Sequence, residues 1–336
     1  MSRTGLDDEA LILSSPDGSA LRPLRRHLVT RFLAAPASDR CYGLGEGPAW
    51  DGDRDRLLWV DINAGAVHSG QLAGQRVTET SVIHLGETVG AVVCARDGEL
   101  LVAGARRLYR ISPGGIVSPG PSVIAGGAAT RLNDGVCDPA GRFLVGSLAL
   151  GERAGHEVLV RIGHDGSVVV IDDDLGMSNG LAFAPGGDVL YSIDTIAKIV
   201  WTRAYSPATG AVGRREAFLR LDVPPDGMCV DDQGNLWIAM WGAGEVRCYS
   251  PSAAHRGAIE VPAPNTTSVA FIGPALDTLL ITTAAEQLTD AQRAGFPDSG
   301  RLFTARVDAR GCPVAAWAGS GAWPERFDDA RMATRP

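Results

Sequence analysis

Four oxygen-bearing side chains along this chain stand one or two positions before a glycine: Glu46-Gly47, Asn133-Asp134-Gly135, Asn179-Gly180 and Asp226-Gly227. Brought together, two carboxylates and two carboxamides make a hard-oxygen donor set. Such a set suits Ca2+, Mg2+ or Mn2+ and differs from the thiolate sets that hold softer metals. Without a cation the two carboxylates would repel, and each would resist ionisation. Taken singly, each of these sites reads as a turn, because Asn-Gly and Asp-Gly are common short turns. Their spacing is what sets them apart.

That spacing follows a repeat. A turn containing Gly or Asp and then a short apolar run recurs six times, around Leu58, Leu101, Leu144, Leu190, Trp237 and Leu280, at steps of 43, 43, 46, 47 and 43 residues. The runs are too short for helices and lack a helical period. A second short run precedes each, for example Gly180–Phe183 and Gly227–Val230. Paired strands at such a period predict an all-β fold, a six-bladed β-propeller of four-stranded blades. A β-sandwich of regularly spaced hairpins would rarely keep so constant a period. The propeller is expected over residues 27–320, with 1–26 an N-terminal extension and 321–336 a C-terminal tail. The ring must close by pairing its ends, since an open edge would remain otherwise. The expected closing strand is His27–Leu33, beside Arg301–Val307.

The repeat also serves as a ruler. Eleven or twelve positions before the reference residues stand Glu46, Val89, Asn133, Asn179, Asp226 and Ser268. The carboxylates and carboxamides of Glu46, Asn133, Asn179 and Asp226 therefore come from four different blades at one phase, at the start of the innermost strands. This predicts a ring of oxygen donors around the propeller axis and, within it, one divalent metal ion.

Composition narrows the function. A net charge of −8, with 31 Lys+Arg against 39 Asp+Glu, argues against nucleic acid, which would want a basic face. No run approaches the ~20 apolar residues of a membrane span, and the apolar run Ala10–Leu13 is too short for a signal-peptide core, so no membrane association and a cytoplasmic location are expected. The six cysteines form no C-x-x-C pair, and none of the six histidines falls in the ring. Asp51-Gly52-Asp53-Arg54-Asp55 resembles an EF-hand opening, but position twelve of that loop would be Ile62. No G-x-S-x-G elbow is present for a serine hydrolase. Oligomeric state leaves no mark on the sequence.

At the same residues the chain resembles the senescence marker protein 30/gluconolactonase/luciferin-regenerating-enzyme family. The matching segments are Leu44-Gly45-Glu46-Gly47-Pro48, Arg131-Leu132-Asn133-Asp134-Gly135, Ser178-Asn179-Gly180-Leu181, Pro225-Asp226-Gly227-Met228 and Gly234-Asn235-Leu236-Trp237-Ile238-Ala239. The resemblance implies a six-bladed propeller whose metal (Ca2+, Mg2+, Mn2+ or Zn2+) is held by Glu46, Asn179 and Asp226. It implies that Arg131 and Asn133 face the substrate; a comparable Asn is itself a metal ligand in the related calcium phosphotriesterase propellers, so Asn133 stands between the two roles. The implied activity is opening of a sugar (aldono-) lactone to its acid in carbohydrate catabolism. A cation with an open coordination position would polarise the ester carbonyl, Asp226 would take the proton of the attacking water, and Arg131 would hold hydroxyls or the nascent carboxylate.

Two departures from the family pattern bear on substrate choice. Ile272 stands in Phe271-Ile272-Gly273 where members often carry glycine, so an apolar side chain is expected near the site. The segment after Ser147 offers Glu152 or Glu157 for a further acidic contact. A phosphotriesterase or aryl-ester lactonase on the same site is the alternative in kind, which an apolar Ile272 would favour. A non-catalytic ligand-binding propeller is the alternative in class, and it would predict lost ligands.

Overall fold

In the computed structural model, residues 30–124, 129–151 and 155–319 are described. They form the six-bladed propeller that the repeat predicts. The innermost strands are Gly45–Asp51, Ala91–Cys94, Thr130–Cys137, Ser178–Phe183, Pro225–Val230 and Thr266–Ile272, each opening an antiparallel sheet that runs outward. The expected extension 1–26 and tail 321–336 lie outside the described residues. No described helix is long and apolar enough to cross a membrane.

Why the second strands read as unbroken apolar runs is now plain. Side chains alternate between the two faces of a strand, and here both faces are covered by neighbouring blades. In blade one Leu58 and Val60 pack toward blade two with Val92 and Val102, whereas Leu57 and Trp59 pack toward blade six with Ile272 and Leu280. The core is thus six layers, one at each blade interface, and not one central mass. Trp59 and Trp237 are buried in these layers, as expected of blade packing.

The closure differs from the expected one. Ala35–Pro36, only two residues, pairs antiparallel with Phe303–Arg306 and completes blade six (Ala35↔Thr304, Pro36↔Phe303). Pro36 lacks an N–H and so suits an outermost strand. Thr30–Leu33 instead adds a parallel fifth strand to blade five, along His255–Glu260. Gly257 makes this possible: a Cβ there would lie 2.7 Å from the Thr30 carbonyl oxygen. Residues 27–29 of the expected strand fall outside the described residues.

Beyond blade six the chain crosses the lower face of the ring. Gly311 N–H bonds Leu276 O beneath blade six, whereas Trp317 N–H bonds Cys94 O and Ala318 N–H bonds Gly141 O beneath blades two and three. Trp317 is buried in the layer between those two blades.

Glycines let the inner strands approach one another. A Cβ on Gly180 would lie 2.5 Å from the Asp226 carbonyl oxygen, and one on Gly227 would lie 2.0 Å from Ser268 Oγ and 2.8 Å from Ser268 Cα. Gly47 acts differently: its φ of +53° suits glycine, and nothing crowds it closer than 3.9 Å. Gly227→Ala should therefore destabilise the fold by roughly 1–3 kcal/mol, as overpacking does. Urea unfolding measures this against Gly151→Ala, a site with nothing within 4 Å. Equal midpoints for the two variants would refute the close-approach reading.

Candidate active site

The ring residues sit on backbone irregularities. Strand register shifts between Glu46 and Ala49, Leu132 and Gly135, Asn179 and Leu181, Pro225 and Met228, and Thr266 and Ser268. The inner strand of blade two, whose ring position is Val89, pairs without any shift. A bulge turns a side chain away from the regular alternation, and bulges concentrate beside active sites. Here they occur in every blade with a polar ring residue and are missing in the blade without one.

Glu46, Asn133, Asn179 and Asp226 are all buried. Asn179 Nδ2 donates to Asp226 Oδ1 and, at 3.1 Å, to Thr195 Oγ1. The Thr195 hydroxyl is itself spent on Pro225 O at 2.8 Å, which leaves it an acceptor toward Asn179 and fixes the amide orientation. Asn179 Oδ1 is buried and has no hydrogen-bond partner. An unpaired buried amide oxygen is costly, and such a group calls for an explanation such as an ion.

Electrostatics point the same way. Burial raises Glu46 well above the usual carboxylate range, with the negative charges of Asp226 and Asp134 adding to it. Asp226 is likewise raised by burial and then by Asp134, against the opposing hydrogen bond from Asn179 and the charge of Arg131. A bound cation would relieve all three frustrations at once: two mutually repelling carboxylates and one orphaned carbonyl oxygen. The donor set therefore fits a divalent metal.

Asp134, which the repeat phase does not single out, belongs to the same electrostatic group. It is half-buried, and burial pushes its pKa up to about 6 against the hydrogen bonds from the Gly135 and Leu181 backbone. The visible signal was the extra residue in Asn133-Asp134-Gly135, which the register shift in that strand accommodates.

Arg131 and Asn133 act as a unit. Arg131 Nη1 donates to Asn133 Oδ1 at 2.7 Å and to Leu132 O at 2.9 Å, and Asn133 Nδ2 donates to Ser178 O at 3.0 Å. Both ends of the Asn133 amide are thus engaged, unlike those of Asn179. Burial lowers Arg131 to about 10, while the charges of Glu46, Asp226 and Glu286 oppose that shift.

One expectation about substrate choice is corrected. Ile272 pairs with Thr278 at the far end of its hairpin and is fully buried between blades six and one, so it does not approach the ring. Strand length decides this: Ser268, the ring residue, lies at the opposite end of the same strand. Glu157 is buried within blade three, accepting from Ser147 Oγ at 2.6 Å and Thr130 Oγ1 at 3.4 Å. Glu152 lies outside the described residues.

Comparison with known proteins settles the family. The model of the SMP-30/Gluconolactonase/LRE-like region matches residues 44–285. The chain belongs to this family. Among its SMP-30/gluconolactonase relatives, pentonolactonase XacC of Haloferax volcanii is 37% identical over 281 residues, covering 80% of this chain and 93% of that protein. The 6-deoxy-6-sulfogluconolactonase of Pseudomonas putida is 31% identical, over 82% of this chain and 95% of its own. Among solved structures, the calcium-binding protein regucalcin of Agrobacterium tumefaciens superposes with a TM-score of 0.81 at 27% identity, covering 86% of this chain and 99% of that one.

Proposed function

We propose that this chain is a metal-dependent lactonase that opens a sugar lactone to the corresponding aldonic acid. The observation that carries the reading is the orphaned Asn179 Oδ1 beside two buried carboxylates. The names of the pentonolactonase and sulfogluconolactonase relatives support the substrate class, and the calcium-binding regucalcin supports the cation.

Glu46, Asn179 and Asp226 would hold the metal. When bound, a divalent cation supplies Lewis acidity for the ester carbonyl and for the charge that develops on it. Asp226 takes the proton of the attacking water at Oδ2, the oxygen that Asn179 does not engage. Its basicity is a balance: burial and Asp134 raise it, and a cation lowers it. Arg131, oriented by its bond to Asn133, presents its remaining N–H groups to substrate hydroxyls or to the nascent carboxylate. The phosphotriesterase-like alternative loses its support, since Ile272 lies in the core.

The test is hydrolysis of a panel of aldonolactones, followed with a pH indicator on chelated protein, with and without added Ca2+, Mg2+, Mn2+ or Zn2+. Turnover restored by metal on one or two lactones is expected. Metal binding without turnover of any lactone would overturn the reading.

A further inference from the structure

Glu286 has no part in the metal set, yet it is held rigidly at the same mouth of the ring. It lies in the connection 284–302 of blade six, between Thr278–Thr283 and Phe303–Arg306. Its N–H bonds Gly43 O at 3.1 Å, and its carbonyl oxygen accepts from Asn265 Nδ2 at 2.9 Å. Its Oε2 accepts from Asn63 Nδ2 at 2.6 Å. Gly43 leaves room for the other oxygen: a Cβ there would lie 2.9 Å from Glu286 Oε1. Two residues separate Gly43 from Glu46, so Glu286 is bonded to the segment that leads into the ligand-bearing strand of blade one. Its charge acts on the buried Arg131, opposing the effect of burial there. No protein donor among the described residues bonds Oε1, which is left as a free acceptor.

A carboxylate fixed by one amide, with its second oxygen unbonded, is the chemistry that accepts hydrogen bonds from hydroxyl groups. We infer that Glu286, held by Asn63, is the residue that selects polyhydroxylated lactones over unsubstituted ones, by accepting hydrogen bonds from ring or side-arm hydroxyls. Glu286 is a specificity residue and takes no part in bond breaking. This inference rests on the lactonase reading and names the feature of the substrate that the site reads.

The experiment measures kcat and KM of metal-loaded wild type, Glu286→Gln and Asn63→Ala on an aldonolactone and on δ-valerolactone, which lacks hydroxyls. It also titrates each protein with 1,5-anhydroglucitol, a hydroxylated ring with no ester. In Glu286→Gln the preference for the hydroxylated lactone should fall about tenfold, mostly through KM, with anhydroglucitol binding weakened in parallel. Asn63→Ala should lose a smaller part of the same preference, because the charge stays while its anchor is gone. An unchanged preference, or an equal loss on both lactones, overturns the inference. If wild type hydrolyses neither lactone, the lactonase reading fails, and undiminished anhydroglucitol binding by Glu286→Gln then overturns the inference separately.

Discussion

Asp226→Asn should lower lactone turnover by roughly 10²- to 10⁴-fold, the range for loss of a positioned proton acceptor, while the protein stays folded. The substitution keeps size and shape, and the new amide oxygen can still accept from Asn179 Nδ2. It removes one of the buried negative charges that raise Glu46. The metal-free variant should therefore be at least as stable as the metal-free wild type, although it is nearly inactive. That combination separates a site residue from a structural one, whose loss would lower stability and activity together. Turnover with saturating metal and thermal unfolding of the chelated proteins measure the two halves. Near-normal turnover in a folded, metal-loaded Asp226→Asn protein would remove Asp226 from the chemistry.

The second large effect concerns metal removal and its dependence on pH. Burial raises Glu46, Asp134 and Asp226, with Asp134 at about 6, whereas unfolded carboxyls titrate near 4. Between those values the folded chain holds protons that the unfolded chain has released. The stability contributed by these protonated groups is fully present below about pH 4 and is lost as pH rises through about 6 and beyond. Chelated protein should thus become less stable between pH 5 and pH 8. A bound cation favours the ionised ligands and competes with protons, so its stabilising effect grows over the same interval. At a hundredfold excess over Kd it contributes about 2.7 kcal/mol. Melting curves at pH 5, 6, 7 and 8, with chelator and with Ca2+, should diverge as pH rises. Parallel curves would mean that the three carboxyls are not the cation's ligands or neighbours. In Asp226→Asn the slope of the chelated protein should be shallower, since one of the titrating groups is gone.

The residues show which parts of this protein can be read along the chain. The propeller was legible because each blade solves the same packing problem with the same short strands. Both strand faces are buried, so Leu57–Val60 and Leu236–Ala239 are unbroken apolar runs that recur at a nearly constant step. The candidate ring was legible for the same reason, since Glu46, Asn133, Asn179 and Asp226 occupy one phase of that repeat. Phase alone could not say that the Asn179 oxygen is orphaned while that of Asn133 is taken by Arg131.

The remainder required three dimensions, because it depends on how blades and loops meet. Asp134 lies at a register shift in one strand and its charge acts on Glu46 and Asp226, and Glu286 stands in a long connection that no repeat constrains. The closing ladder of Ala35–Pro36 is too short to show a period, and Thr30–Leu33 finds its partner one blade away because Gly257 admits its backbone. Ile272 looked like a site residue by comparison of segments, but the length of its strand carries it into the core. Repetition in the sequence determined the fold and the phase of the donors. Distances between segments remote along the chain, which no local pattern encodes, decided which groups share one electrostatic environment.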